Sequence, residues 1–277
     1  MPQACKEAGN MNDVLIDVKQ LCCKSGRRYL LNHIDWTVHK GEQWAVFGLN
    51  GCGKTTLLST IAGFRKYTSG KVELFGEPIT ADNVLAMRKR IGWVSSSFFD
   101  SYYKNESSLN IILAGKTGTL GLDETIDEHD VRTAKDMLKQ IGLEDKCNMP
   151  FYTLSKGERQ NILLVRAMFT QPEILILDEP CSGLDIVARE RVLQTVRQMI
   201  HEQQTTVIYV THYAEELLDE FSHVMLLRKG KVFAQGKSED CLRSDVMSGF
   251  LEMPVVASRD AQKHLQIHFL NEGGQNR

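Results

Sequence analysis

Apolar and polar residues alternate in the first part of the chain and then give way to short apolar runs. Residues 14–18 and 29–38 alternate well enough to predict two antiparallel strands joined by a turn. Residues 43–47, 174–177 and 205–210 are short, apolar stretches. Runs of this kind are typical of strands covered by helices on both faces. The pattern therefore predicts an α/β fold with a mostly parallel sheet and an N-terminal antiparallel β subdomain.

Helical spacing replaces the strand pattern between residue 96 and about residue 149. It is interrupted by a Gly/Thr-rich loop at 115–121 and by an acidic run at 123–130, which we interpret as a solvated helix start. We interpret this portion as a helical insertion within the α/β domain.

Three segments are expected from these patterns. They are a flexible leader at 1–11, one large domain at 12–245 with its helical subdomain at about 97–165, and a C-terminal extension at 246–277. The extension is polar from about Arg259, rich in Asn and Gln, and is expected to be partly mobile.

Composition narrows the class of protein. The chain has 277 residues, 42% of them hydrophobic and 25% charged, as in an ordinary globular protein. The formal net charge of -2 argues against a generally basic nucleic-acid binder. No apolar run reaches the roughly 18 residues that a membrane span needs, and the first residues do not fit a signal peptide. Seven scattered cysteines without a C-x-x-C pair favour reduced thiols in a cytoplasm.

One glycine-rich stretch fits the phosphate-binding pattern of Gly, four residues, Gly, Lys and Ser or Thr. It consists of Gly48, Leu49, Asn50, Gly51, Cys52, Gly53, Lys54, Thr55 and Thr56. The glycines let backbone N–H groups approach a triphosphate, and the helix that follows presents its positive end to the anion. Lys54 supplies a full charge to the β- and γ-phosphates, and the Thr55 hydroxyl is a candidate ligand of Mg²⁺. The sequence thus predicts a P-loop NTPase core.

Two carboxylates follow the apolar run at 174–177. Asp178 and Glu179 are placed at the carboxyl edge of the parallel sheet, where such sheets bind their ligands. We interpret Asp178 as the residue that holds Mg²⁺ and Glu179 as the residue that polarises the attacking water. The alternative is that the two carboxylates have no catalytic role and only form an acidic strand end that leads into a proline turn. The P-loop elsewhere in the chain favours the catalytic interpretation.

Further motifs carry a family resemblance. Leu154-Ser155-Lys156-Gly157-Glu158 resembles the signature sequence of ABC-type ATPases, whose usual form is Leu-Ser-Gly-Gly-Gln. Cys181-Ser182-Gly183-Leu184-Asp185 is similar to the D-loop of that family, and Val210-Thr211-His212 to its switch histidine. Five motifs in the family's order cover roughly residues 13–240. The serine-rich segment at 95–97 is also similar to that of molybdate-type bacterial ABC ATPases.

The resemblance implies a shared active site. Ser155 and Gly157, at the start of a predicted helix, would meet the γ-phosphate of ATP bound by a partner subunit, together with Lys156 and Glu158. His212 would contact the γ-phosphate and the attacking water, and Asp185 would lie at the dimer seam. On the residues alone, Ser155 is equally a helix N-cap and His212 a core or capping residue.

Several positions depart from the family pattern. Lys156 and Glu158 replace the usual Gly and Gln of the signature. Ser96 stands where the family has the glutamine of its Q-loop, and because the serine side chain is shorter, it cannot reach equally far towards Mg²⁺. For the aromatic residue that stacks on adenine, Tyr29 is the best candidate, although Cys22 and Cys23 lie nearer the expected strand end.

The expected function is ATP binding and hydrolysis with Mg²⁺, with Lys54, Glu179 and His212 as catalytic residues. The resemblance implies a head-to-tail homodimer, or a pair with another ABC subunit, that energises a separate membrane permease from the cytoplasmic face of the membrane. The alternative is a soluble ABC ATPase that acts without a permease on nucleic acid or ribosomes, although no nucleic-acid partner is expected from the charge.

Overall fold

The computed structural model describes residues 13–95, 99, 102–117, 126–202 and 205–270. Among these residues, no helix has both the length and the apolar character that crossing a membrane requires. The expectations for the leader at 1–11 and for Ser96 fall outside the described residues.

The N-terminal part forms an antiparallel sheet of order β2-β1-β4-β5. Its strands are β1 (Val14–Ser25), β2 (Arg28–His39), β4 (Ser69–Leu74) and β5 (Glu77–Pro78). Strands β1 and β2 pair from Val14 opposite His39 to Ser25 opposite Arg28, with several register shifts. The predicted hairpin is therefore present, and its strands extend further than their alternation indicated.

The second sheet has the order β10-β9-β3-β8-β7-β6. Its strands are β3 (Trp44–Phe47), β6 (Ile91–Ser95), β7 (Ile174–Asp178), β8 (Thr206–Thr211), β9 (His223–Arg228) and β10 (Lys231–Lys237). All neighbours are parallel except β9 and β10. Every residue of β3, β7 and β8 is buried, which explains why these segments are continuously apolar. The predicted α/β class with a mostly parallel sheet is confirmed.

Helices connect and flank the strands. They are α1 (Lys54–Ile61), α2 (Val84–Lys89), α3 (Ser108–Thr117), α4 (Glu128–Gln140), α5 (Lys156–Met168), α6 (Ile186–Glu202), α7 (Ser238–Cys241) and α8 (Ser244–Leu251). Helices α3, α4 and α5 pack on one another as the helical part that interrupts the α/β pattern. The described end of the acidic run begins α4, where Asp127 and Asp130 form a capping box. Helix α2 escapes prediction because it is one short segment with Met87 as its buried residue.

Part of the C-terminal extension forms regular structure. Beyond α8, strands β11 (Val255–Arg259) and β12 (Leu265–Phe269) form an antiparallel pair. Residues 265–269, within the stretch that was expected to be partly mobile, therefore form a strand. Leu265 and Val255 are buried, and the Arg259 guanidinium donates to the carbonyl of Leu217, so tertiary contacts outweigh the polar composition.

Candidate functional site

Three neighbouring parallel strands end at the same edge of the central sheet. Strand β3 leads into the P-loop at 48–53, β7 into Glu179 and β8 into His212. The backbone joins these ends, since the N–H of Gly48 donates to the carbonyl of Thr211 at 3.3 Å and the N–H of Glu179 to that of Val210 at 2.9 Å. Residues more than 160 positions apart in the sequence are thus brought to one place by strand order.

The P-loop uses its glycines for close backbone packing. Gly51 and Gly53 have φ values of 75° and 113°, in the region that favours glycine. A Cβ on Gly48 would lie 2.5 Å from the carbonyl oxygen of Leu227. Gly53 is also the N-cap of α1 and provides no side-chain cap, so the first N–H groups of this helix face the loop without an intrachain side-chain acceptor at the cap. This arrangement suits a phosphate.

Lys54, Glu179 and His212 converge beside the P-loop. The buried Nζ of Lys54 donates to the carbonyl of Gly48 at 2.7 Å and lies 3.2 Å from Oε1 of Glu179. The same carboxylate oxygen lies 3.2 Å from Nδ1 of His212. Glu179 reaches this position with a backbone φ of 51°, which is unusual for a residue with a side chain. One carboxylate therefore links the P-loop lysine to the histidine.

Asp178 provides a buried carboxylate next to these residues. Its Oδ2 accepts a hydrogen bond from the Ser95 hydroxyl at 3.1 Å, whereas the buried Oδ1 has no hydrogen-bond partner among the described residues. Burial raises the pKa of Asp178 to about 6, and the hydroxyls of Ser95 and Thr55 oppose this rise. The Asp178 oxygen without a partner and the Thr55 hydroxyl beside it are hard oxygen donors of the kind that Mg²⁺ prefers. The residues present thus fit Mg²⁺.

The loop that carries His212 is anchored by a buried glutamate. The Thr211 hydroxyl donates to Oε2 of Glu216 at 2.6 Å and accepts from the Tyr213 N–H at 3.0 Å. The Tyr209 hydroxyl donates to the same Glu216 oxygen at 3.0 Å. Burial raises the pKa of Glu216, and the hydroxyls of Thr211 and Tyr209 oppose that rise. Both neighbours of His212 are therefore fixed from within the core.

The signature segment begins helix α5. Ser155 is its N-cap: the hydroxyl accepts from the Glu158 N–H at 3.3 Å, and the Glu158 carboxylate accepts from the Ser155 N–H at 2.7 Å. Lys156 extends over Gly183, where an added Cβ would lie 2.1 Å from the Lys156 ammonium. Ser155 is thus an N-cap, as its residue type allows, and Lys156 touches the D-loop.

The D-loop prepares the start of helix α6. Oδ1 of Asp185 accepts from the Ala188 N–H at 2.8 Å, as a helix cap does. The next two side chains are apolar and face solvent, with 83% of Ile186 and 62% of Val187 exposed. An exposed apolar pair at this point is a candidate contact surface.

A cavity of about 750 Å³ contains the P-loop. Its lining comprises Arg28, Tyr29, Leu30, Leu49 to Thr56, Glu179, Leu227 to Gly230 and Phe250 to Glu252. The lining includes none of the described signature residues 155–158. Tyr29 is 42% exposed within it, whereas Cys22 and Cys23 are buried and do not line it. The cavity lining thus includes Tyr29, the candidate for the stacking residue, and neither of the two cysteines.

Sequence reasoning missed the two other groups of lining residues. The turn at 228–230 joins β9 to β10, and nothing in its sequence indicates that the Gly230 N–H donates to the carbonyl of Cys52 in the P-loop at 2.8 Å. Residues 250–252 carry no motif. A signal for them exists only in three dimensions.

Comparisons with known proteins agree with this geometry. A family model described as ABC transporter matches residues 31–182. An ABC transporter ATP-binding protein of Streptococcus mutans is 39% identical over 87% of this chain and 93% of its own length. The molybdate import ATP-binding protein MolC of Haemophilus influenzae is 29% identical over 85% of this chain and 87% of its own. A dimeric bacterial ABC transporter cassette superimposes with a TM-score of 0.70 at 25% identity, covering 80% of this chain and 98% of that one.

Proposed function

The chain belongs to the ABC transporter family, and we propose that it is an ATPase whose two copies close head to tail over two MgATP molecules to energise a membrane permease. The observation that carries the proposal is the convergence of Lys54, Glu179 and His212 where β3, β7 and β8 end. ATP hydrolysis needs a phosphate cradle, a positioned water and stabilisation of developing charge. These three residues and the P-loop provide each of them at one sheet edge.

Each residue has a distinct role in the proposed reaction. The N–H groups at the start of α1 and the Lys54 ammonium hold the β- and γ-phosphates. The Glu179 carboxylate takes the proton of the attacking water. His212, whose Nδ1 lies 3.2 Å from that carboxylate, holds the water in place against the γ-phosphate. Thr55 and Asp178 would hold Mg²⁺, which neutralises charge on the phosphate oxygens when bound.

The proposed dimer explains why the signature segment is separate from the cavity of its own chain. Ser155, Lys156 and Gly157 lie at a helix N-terminus, which suits an anion supplied from outside. The exposed Ile186 and Val187 beside the D-loop give the seam an apolar contact. In this arrangement each nucleotide is held by the P-loop of one copy and by the signature segment of the other.

Transport is the proposed use of the cycle. Family membership favours a subunit that works at the cytoplasmic face of a membrane with a separate permease. Purification from membranes after mild cross-linking tests this proposal. We expect a multi-span protein in the purified complex, whereas ribosomes or nucleic acid in its place would favour an ATPase that acts without a permease.

Glu179→Gln tests the catalytic proposal. The amide keeps the size of the side chain but cannot accept the proton of water, so we expect phosphate release to fall by about 100-fold or more while ATP still binds. Because bound ATP is then not consumed, size-exclusion chromatography with ATP should show a dimer. Glu173→Gln is the matched control: Glu173 precedes the same strand β7 at its other end, where it pairs with Arg90 on the surface. A monomer of Glu179→Gln at saturating ATP would contradict the shared site.

A further inference from the structure

The C-terminal extension contributes one wall of the P-loop cavity. Phe250, Leu251 and Glu252, at the end of α8, line the same cavity as the P-loop and Tyr29. The cavity volume of about 750 Å³ is within the usual range for small-ligand sites. A ligand held by the P-loop therefore has the extension within its binding surface.

Arg228 fixes this wall to the nucleotide-binding sheet. Its Nη1 donates to the carbonyls of Gly249 and Phe250 at 2.9 and 3.1 Å and lies 3.3 Å from Oε1 of Glu252. The last carbonyls of a helix lack partners within the helix, so this guanidinium caps α8. Arg228 ends β9, the neighbour of the P-loop strand β3. The end of α8 is thereby tied to the strand pair that carries the P-loop.

Glu252 adopts a backbone conformation that glycine would take more easily. Its φ is 58°, in the left-handed region, and it is the C-terminal cap of α8. A residue with a side chain costs about 1 kcal/mol or more in this conformation. The side chain is 63% exposed, so packing in the core does not account for it. The Glu252 carboxylate, which lines the cavity, is therefore a candidate for contact with a ligand bound there.

The charges around the cavity indicate which part of a ligand Glu252 would meet. Lys54 and the start of α1 attract phosphates, whereas a carboxylate repels them and accepts hydrogen bonds only. A nucleotide has N–H donors on its base and O–H donors on its sugar. Glu252 is therefore suited to the uncharged half of a nucleotide.

We propose that the end of α8 forms the nucleoside wall of this cavity, with Glu252, held by Arg228, accepting a hydrogen bond from the base or sugar of a nucleotide whose phosphates lie on the P-loop. This inference rests on the proposed nucleotide-binding function. It gives the C-terminal extension a part in nucleotide binding, and it makes the order of α8 depend on occupancy of the cavity.

Glu252→Gly is the decisive variant because it removes the carboxylate and also suits the φ of 58°. Its melting temperature should be unchanged or higher. By isothermal titration calorimetry, we expect the Kd for ATP to rise about 5- to 10-fold, the loss of one partly exposed hydrogen bond to a charged group. The Kd for inorganic tripolyphosphate should stay the same, since that ligand has no nucleoside. Gln171→Gly is the matched control, because Gln171 also has a positive φ, of 50°, and does not line the cavity.

Two analogues distinguish the donors. If the donor is on the sugar, binding of 2′,3′-dideoxy-ATP, which lacks both sugar hydroxyls, should be insensitive to Glu252→Gly. If the donor is the amino group of the base, binding of purine riboside triphosphate should be insensitive. Equal losses for ATP and tripolyphosphate, or no loss for either, would overturn the inference. A wild-type chain that binds neither ligand would instead refute the proposed nucleotide function.

Hydrogen exchange gives a readout that needs no substitution. In the wild-type chain, ATP should protect the amides of 244–252, and tripolyphosphate should protect the P-loop amides alone. Protection of the P-loop without any ATP-specific change in α8 would also overturn the inference.

Discussion

Two helix N-termini were assigned to phosphates from the sequence, and their local chemistry differs. Helix α1 begins after Gly53, with no side-chain cap, no acidic residue in its first turn and the buried ammonium of Lys54 beside it. Helix α5 begins after Ser155, and its first turn closes on itself through a capping box with Glu158. The N-terminus of α1 therefore has no side-chain acceptor at its cap, whereas the N-terminus of α5 has the Ser155 hydroxyl as its acceptor.

From this difference we expect the two ends to bind phosphate under different conditions. At α1, free N–H groups and a lysine charge form an anion site within one chain. At α5, the hydrogen bond from the Ser155 N–H lowers the pKa of Glu158, so a negative charge stays where a phosphate would approach. What remains for a ligand is the donor hydrogen of the Ser155 hydroxyl, the next N–H groups and the Lys156 ammonium. We therefore expect α1 to bind first and α5 to add to a site that is already charged.

Lys54→Ala should produce the largest effect, because it removes the charge that makes the α1 end a phosphate site. We expect ATP turnover, measured as phosphate release, to fall by about 100-fold or more, as for other positioned groups that stabilise transition-state charge. Lys71→Ala is the control, since Lys71 pairs with Glu73 on the antiparallel sheet. Turnover near the wild-type level in Lys54→Ala would remove α1 from the active site and end the comparison.

The two helix ends also show what the sequence could and could not predict. The structure of the P-loop is predictable from its sequence, because the glycines, the lysine and the following helix are contiguous. The N-cap at Ser155 was one of the two interpretations that the sequence left open, and the Ser-x-x-Glu spacing of its capping box is also contiguous. Residues 250–252 were not predictable, since their place in the cavity depends on Arg228 and on the packing of an extension whose composition looked mobile. Contiguous motifs were accessible, and contacts between distant segments were not.

Ser155→Ala should have an intermediate effect that separates capping from phosphate binding. Loss of an N-cap costs about 1 kcal/mol of folding free energy. Asp127→Ala is the matched control, because Asp127 caps α4 with the same kind of box in the same helical part. Thermal melting should show a similar decrease for both variants. We expect only Ser155→Ala to lower kcat/KM for ATP, by about 10-fold for one lost hydrogen bond to a charged group. Equal kinetics in the two variants would reduce Ser155 to a structural cap.

Glu158→Gln should have the smallest effect and the most specific one. The amide oxygen can still accept from the Ser155 N–H, but the negative charge at the start of α5 is gone. A helix-end charge is worth about 0.3–1 kcal/mol, so we expect ATP-driven dimers of Glu179→Gln to tighten by about 2- to 5-fold when Glu158→Gln is added. The folding free energy should move the opposite way, because a carboxylate stabilises a helix N-terminus.

Glu128→Gln provides the comparison for this last change, since Glu128 lies in the first turn of α4 and its removal has the same effect on a helix dipole. In the Glu179→Gln background, sedimentation equilibrium should show tighter dimers with Glu158→Gln and not with Glu128→Gln. Thermal melting should show a slight destabilisation with both. The lowered pKa of Glu158 sets the pH range of these effects. The contribution of its carboxylate to stability is present above its pKa in the unfolded chain and is lost as the pH falls through its pKa in the folded chain. At neutral pH the changes in dimer affinity and in folding free energy should therefore both be complete. Weaker dimers in Glu158→Gln would mean that the carboxylate itself stabilises the closed dimer. The end of α5 would then depend on a charged side chain for binding, as the end of α1 depends on Lys54.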